Sequence, residues 1–215
     1  MNEFKRNQVE EAISRVMAET GAKPSPDLLT RLKRLMNLDR ALGRKPNNSD
    51  PAKSQYAFYS DDAPGKGVEV LFSSYEAFAL SMGLRLLEGQ WPQGFVVEIL
   101  RHMRTDLEGE HRRILQLDET VLFDKETIRK QTEASFYQAT NTQPVFLLIV
   151  SDAGVGGEKH SAAPYSKIFR DPLKALGFQM KEAGRSCTWC ELVTPAWNLQ
   201  KHLTSSVPRQ RGRAG

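Results

Sequence analysis

QYAFYSDDAPGKGVEVLFSSYEAFALSMGLRLL, residues 55 to 87, divides into two apolar stretches, a glycine-bearing turn and a capped helix. Gln55 to Tyr59 and Val68 to Phe72 are rich in aromatic and β-branched residues. Tyr56/Phe58 and Val68/Val70/Phe72 recur at period two, the spacing of a strand with one buried face. Asp61, Asp62, Pro64, Gly65 and Gly67 between them are turn chemistry, because glycine supplies positive φ and proline cannot donate to a ladder. The pattern predicts a hairpin with a long tip. Ser73-Ser74-Tyr75-Glu76 then fits a capping box, in which the Ser73 hydroxyl accepts from the Glu76 amide and the Glu76 carboxylate from the Ser73 amide. A helix follows from Ser74, with Tyr75, Phe78, Ala79, Met82 and Leu86 on one face and Gly89 at its end.

Upstream lie two amphipathic helices. Residues 6 to 19 carry Val9, Ala12, Ile13, Val16 and Met17 on one stripe, and Gly21 breaks the pattern. Ser25 caps the next helix and Pro26 takes its first position, where a missing amide costs nothing. From Pro26 to Leu42 the apolar residues Leu28, Leu29, Leu32, Leu35, Met36 and Leu42 leave Arg31, Lys33, Arg34, Asp39 and Arg40 on the exposed arc, and Gly43 stops the helix. A basic second helix after a short break suits entry into a DNA major groove, with arginines reaching phosphates or guanine edges. It suits equally a helical hairpin with a solvated face. Residues 44 to 53 read as a linker. Downstream, Gly89-Gln90-Trp91-Pro92 makes a tight connection, and one long helix is expected from Pro92 through Leu115.

Helix, turn, basic helix, hairpin, then the helix pair in YEAFALSMGLRLLEGQWPQGFVVEILRHMR resembles the DNA-binding domain of MerR-type regulators over about residues 6 to 104. The chain departs from that family at Leu38–Gly43, where the usual Arg-Tyr-Tyr element is absent, and in its longer linker. The resemblance implies a winged helix-turn-helix. Carried over by position, it implies DNA contacts from Arg31, Lys33 and Arg34 on the second helix, Arg40 and Arg44 after it, and Lys66 at the wing tip. Arginine suits bidentate contacts and lysine a point charge. Tyr56 and Tyr59 offer hydroxyls to phosphate, against the alternative of packing on the hairpin. Pairing with Asp39 or another carboxylate is the alternative for Arg40.

Charge distribution agrees with a nucleic-acid footprint. Residues 1 to 45 hold 10 Lys/Arg against 6 Asp/Glu, residues 46 to 208 hold 17 against 20, and Arg209, Arg211 and Arg213 end the chain, so the positive charge sits at the two ends. No apolar run approaches the roughly 20 residues that cross a bilayer, the first residues lack a signal-peptide core, and two cysteines form no disulfide framework. A cytoplasmic protein is expected.

Residues 124 to 139 suit a helix capped by Asp124, and Pro144 to Ser151 a strand buried on both faces. The glycine-rich loop Asp152 to His160 lacks the Gly-Lys-Ser/Thr of a phosphate-binding loop, so no nucleotide is expected. Cys187, Cys190, His160 and His202 offer zinc-type ligands, but CTWCELV reads as a strand, in which residues three apart point to opposite faces, so no metal is expected. His102 and His111 fall on a helix read as exposed. A short helix from Thr194 closes a small α/β module.

The expected fold class is thus α+β: a mainly helical winged helix-turn-helix N-terminal domain (1–118), a small α/β module (119–206) for dimerisation or sensing, and a disordered basic tail (207–215). The expected function is sequence-specific DNA-binding transcription regulation. Double-stranded DNA, a second copy in a homodimer and an unknown effector or protein are the partners. No membrane, cofactor or catalytic residue is expected. The alternatives are a protein-interaction adaptor, or an enzyme with its site in the C-terminal module, for which no nucleophile-base pair or carboxylate pair is spaced appropriately.

Overall fold

Capping chemistry sets the helix limits. Ser25 accepts a hydrogen bond from the Leu28 amide and starts α2 (Pro26–Leu42), which ends at Gly43 with φ +62°, a left-handed conformation that glycine adopts without strain. The Ser73/Glu76 capping box starts α4 (Ser74–Glu88) with both reciprocal bonds formed. In chain order the same stretch also forms β1 (Glu3–Lys5), α1 (Arg6–Ala18), α3 (Pro51–Ser54), β2 (Leu71–Ser73) and α5 (Gln93–His102), and α6 (Arg104–Ile114) follows. The structure, a computed structural model, describes residues 3–18, 23–62, 69–135, 137–151, 165–182 and 185–208. It is a mixed α+β protein, and no described helix is long and apolar enough to cross a membrane.

Two compact units divide the chain: Met1–Thr105 with Trp197–Gly215, and Asp106–Ala196. In the first, β1 and β2 pair antiparallel with Phe4 opposite Phe72, both buried. Because the pairing is antiparallel, α1 and α4 leave this two-stranded sheet from opposite ends. The core is built from Val9, Ile13, Leu32, Leu35, Phe58, Phe78, Met82, Ile99 and Leu100. Gly83 has a packing reason: a Cβ there would stand 3.1 Å from Leu35 Cδ1, so its absence lets α2 and α4 approach closely. The last turns of α10 (Val193–Ser205) also belong here, where Gln8 Nε2 donates to the Ser206 carbonyl at 2.8 Å and Ser74 Oγ donates to Gln200 Oε1.

Several expectations are corrected. Gln55 to Tyr59 is not a strand, and β2 pairs with β1 rather than with it. The linker contains α3, capped by Asp50, whose carboxylate accepts from the Ala52 amide. The long helix expected after Pro92 divides at Met103, where φ −88° and ψ 0° separate α5 from α6. His111 is buried, not exposed, and Asp39 is fully buried rather than on the exposed arc.

In the second unit, β3 (Phe146–Ser151) is the central strand between β4 (Tyr165–Phe169) and β5 (Ser186–Glu191), antiparallel to both. Central position explains its continuous apolar run: Phe146 through Val150 are all buried. β4 is an element the sequence pattern does not announce. α7 (Glu119–Leu122) and α8 (Lys125–Ala134) precede the sheet, the latter capped by Asp124 but ending before residue 139. α9 (Pro172–Lys181) packs on the sheet, with Phe178 against Phe169 and Gln179 Oε1 accepting from Trp189 Nε1 at 2.7 Å.

Candidate nucleic-acid interface

Alternation on α2 separates an anchored side from an offered one. Leu32, Leu35, Met36 and Asp39 are buried, while Thr30, Arg31, Lys33, Arg34 and Asn37 are exposed. Gln93 Nε2 of α5 donates to the Arg34 carbonyl at 2.8 Å and fixes the helix from its flank. Arg31 pairs with Asp27 at 2.8 Å across one turn; Lys33 and Arg34 form no ion pair with a described residue. An exposed surface pair of the Arg31–Asp27 kind is worth about 0.3–0.5 kcal/mol, so it is readily exchanged for another acceptor.

Behind α2 stands a charged network that sequence reading does not identify. Asp39 accepts from the Ala57 amide at 3.1 Å and the Phe58 amide at 3.0 Å, and from Arg101 Nε at 2.7 Å. Arg101 also donates to the Gly43 and Ala52 carbonyls and to the Asp39 carbonyl, so one guanidinium joins the end of α2, α3 and α5. Arg104 donates to the carbonyls of Tyr56, Ala57 and Tyr59 and lies 3.6 Å from Glu76. Together these groups hold Gln55 to Ser60 by its own backbone polar atoms. A segment whose amides and carbonyls are occupied by side chains has none left for a ladder, which is why its period-two pattern does not give a strand.

The same segment engages Arg40 and Arg44. The Arg40 guanidinium lies 3.6 Å from the Tyr59 ring centroid and 4.8 Å from that of Tyr56, and donates to the Asp61 carbonyl. Arg44 Nε donates to Asp62 at 3.1 Å and its Nη1 to the Ser60 carbonyl. Its hydrogen bond to Asp62 raises the Arg44 pKa, and the Arg44 bond, with that from the Tyr56 hydroxyl at 2.9 Å, holds the Asp62 carboxyl below its usual range. Burial raises the Tyr59 hydroxyl, with Arg40 opposing. Of the six residues named from sequence, Arg31, Lys33 and Arg34 thus share one open helix face, and Arg40 and Arg44 are engaged on Tyr59, Asp61 and Asp62. Lys66 lies outside the described residues. Thr30 and Asn37 join the open face without having been singled out from sequence, although their spacing from Arg34 places them there.

Among the described residues no group of three or more His, Cys, Asp or Glu is placed to hold a metal ion. Cys187 and Cys190 form no disulfide and are half-buried in β5; His160 lies outside the described residues. No family model matches this sequence, and no curated protein or solved structure matches it.

Proposed function

We propose that the chain is a sequence-specific DNA-binding transcription regulator of the winged helix-turn-helix kind, acting as a homodimer. α2 lies in the major groove, and Lys66 is a further candidate for a point-charge contact with flanking phosphate. The observation that carries this is the composition of the open face of α2. Arg31, Arg34 and Lys33 supply guanine and phosphate donors, Asn37 the bidentate amide that suits adenine, and Thr30 a hydroxyl and a methyl. The opposite side of the helix is fixed by Leu32, Leu35, Met36 and the Asp39–Arg101 pair, and a rigid scaffold is what accurate base reading requires. Arg40 and Arg44 then act on the segment leading to the wing rather than on DNA directly.

Alanine at both Lys33 and Arg34 tests the assignment. Binding to duplex DNA should weaken, and the slope of log K against log salt should become shallower by about 1 for each phosphate no longer neutralised, with an unchanged urea midpoint. Binding and slope equal to those of the parent would remove α2 from the interface. Tight binding of an acidic protein by the same face, without DNA binding, would favour the adaptor reading.

A further inference from the structure

Three helices of the first unit enclose a cleft of about 480 Å³, within the size range of small-molecule sites. Leu38 and Leu42, one turn apart at the end of α2, line it together with Ala52 of α3 and Gly94 of α5. Its walls are tied to one another. Arg101, 3% exposed, donates from Nη1 to the Gly43 carbonyl at 2.8 Å and the Ala52 carbonyl at 3.3 Å, and the Lys45 amide donates to the Lys53 carbonyl at 2.7 Å. The cleft therefore stands ready formed. Leu42 is 57% exposed, so an apolar side chain is offered to whatever enters. A Cβ at Gly94 would meet nothing within 4 Å, and the α5 wall is recessed where that side chain is missing.

The charges that line the cleft sort by partner. Arg101 is spent on Asp39 at 2.7 Å, Arg44 on Asp62 at 3.1 Å and Lys53 on Asp50 at 3.3 Å. Two are left over. Lys45 and Glu98, both exposed, form no ion pair with each other or with another described residue. They are opposite in sign. An anion in the cleft would satisfy Lys45 and set its own charge near Glu98, and a cation would do the reverse. A molecule with both charges satisfies both, its carboxylate accepting from the lysine and its ammonium donating to the glutamate. To cover Leu38 and Leu42 as well, it needs an apolar body.

We infer that this cleft binds a small zwitterion with an apolar body, the chemistry of a free apolar amino acid. Its carboxylate lies on Lys45, its ammonium on Glu98 and its side chain against Leu38, Leu42 and Ala52. The site is defined without reference to DNA.

Titration of the isotope-labelled full chain with L-phenylalanine and with L-leucine, followed by amide chemical shifts, reads it out. Saturable shifts are expected at Leu42, Ala52 and Gly94, with a dissociation constant on the order of 1 mM, because both charge contacts lie in solvent. Two trimmed probes test the charges. Hydrocinnamate lacks the ammonium and phenethylamine the carboxylate, and each should bind about threefold to fivefold more weakly than L-phenylalanine. Lys45→Gln should weaken L-phenylalanine by the same factor and leave phenethylamine unchanged. Glu98→Gln should weaken it likewise and leave hydrocinnamate unchanged. Gly94→Leu fills the cleft from a helix position with room for the side chain, and should abolish the shifts without lowering the urea midpoint. No saturable shift at roughly 20 mM of either amino acid would overturn the proposal. So would a trimmed probe that binds as tightly as L-phenylalanine, or binding retained by the folded Gly94→Leu chain. A chain that binds L-phenylalanine here and selects no DNA sequence would strike the proposed function and leave the site standing.

Discussion

At the scale of single residues, Asp39 is the group on which most depends. Its carboxylate is fully buried and satisfies Arg101 and two backbone amides, so its removal leaves a buried guanidinium and two amides without their acceptor. Asp39→Ala should cost about 3–5 kcal/mol in urea unfolding. Adding Arg101→Met should recover part of that stability, because the uncompensated charge leaves with the arginine; a double variant that shows the full sum of the two single effects would contradict the coupling. Asp39 is misplaced on the exposed arc by the sequence reading, although its position seven residues after Leu32 and three after Met36 puts it on the apolar stripe, where a charge needs a buried partner. The partner is not legible, since Arg101 lies 62 positions away and only the tertiary fold selects it over Arg104, Arg112 and Arg113 of α6.

His111 gives a second prediction at this scale. It is 5% exposed, and burial lowers its pKa to about 4 from the ordinary 6.5, so the folded protein holds it neutral. The unfolded chain takes up a proton near pH 6.5 and the folded chain only near 4. The stability linked to this group is therefore complete above pH 6.5 and falls away as pH drops towards 4, by about 3 kcal/mol in all. Urea midpoints measured between roughly pH 7 and 4 should fall less steeply for His111→Gln than for the parent. Parallel curves would show that His111 does not titrate as a buried neutral imidazole.

At the scale of elements, local chemistry is legible wherever it is self-contained. Ser25, Pro26 and Gly43 bound α2, and Ser73 with Glu76 starts α4, because caps join residues only a few positions apart. Ser73→Ala should cost about 1 kcal/mol by thermal or urea unfolding, with Ser73→Asp close to the parent; equal stability of all three would show that the capping box contributes nothing. Where an element depends on distant partners, sequence pattern misleads. Tyr56 and Phe58 alternate as a strand does, yet Asp39 and Arg104 occupy the backbone groups a strand would use. Phe72 is in a strand, but its partner is Phe4, at the other end of the unit's sequence. Period two reports which residues are buried in alternation and is silent on what pairs with them.

At the scale of the whole molecule, the mixed α+β class is legible from helix periodicities and from the apolar run of β3. The return of the last helix to the first unit is not, because a helix with Leu199 and Leu203 on one face can be buried against any apolar surface. The proposed regulator would use α2 of the first unit for DNA. Its central claim is that the open face of α2 reads a sequence. The most direct measurement is a selection of genomic DNA fragments by the purified full chain at roughly 150 mM salt, where non-specific phosphate binding is largely suppressed, run beside the Lys33→Ala, Arg34→Ala variant. The predicted result is one recovered palindromic sequence, its half-sites about one helical turn apart, absent from the variant's selection. Recovery of no preferred sequence by the parent, or of the same sequence by the variant, would contradict it.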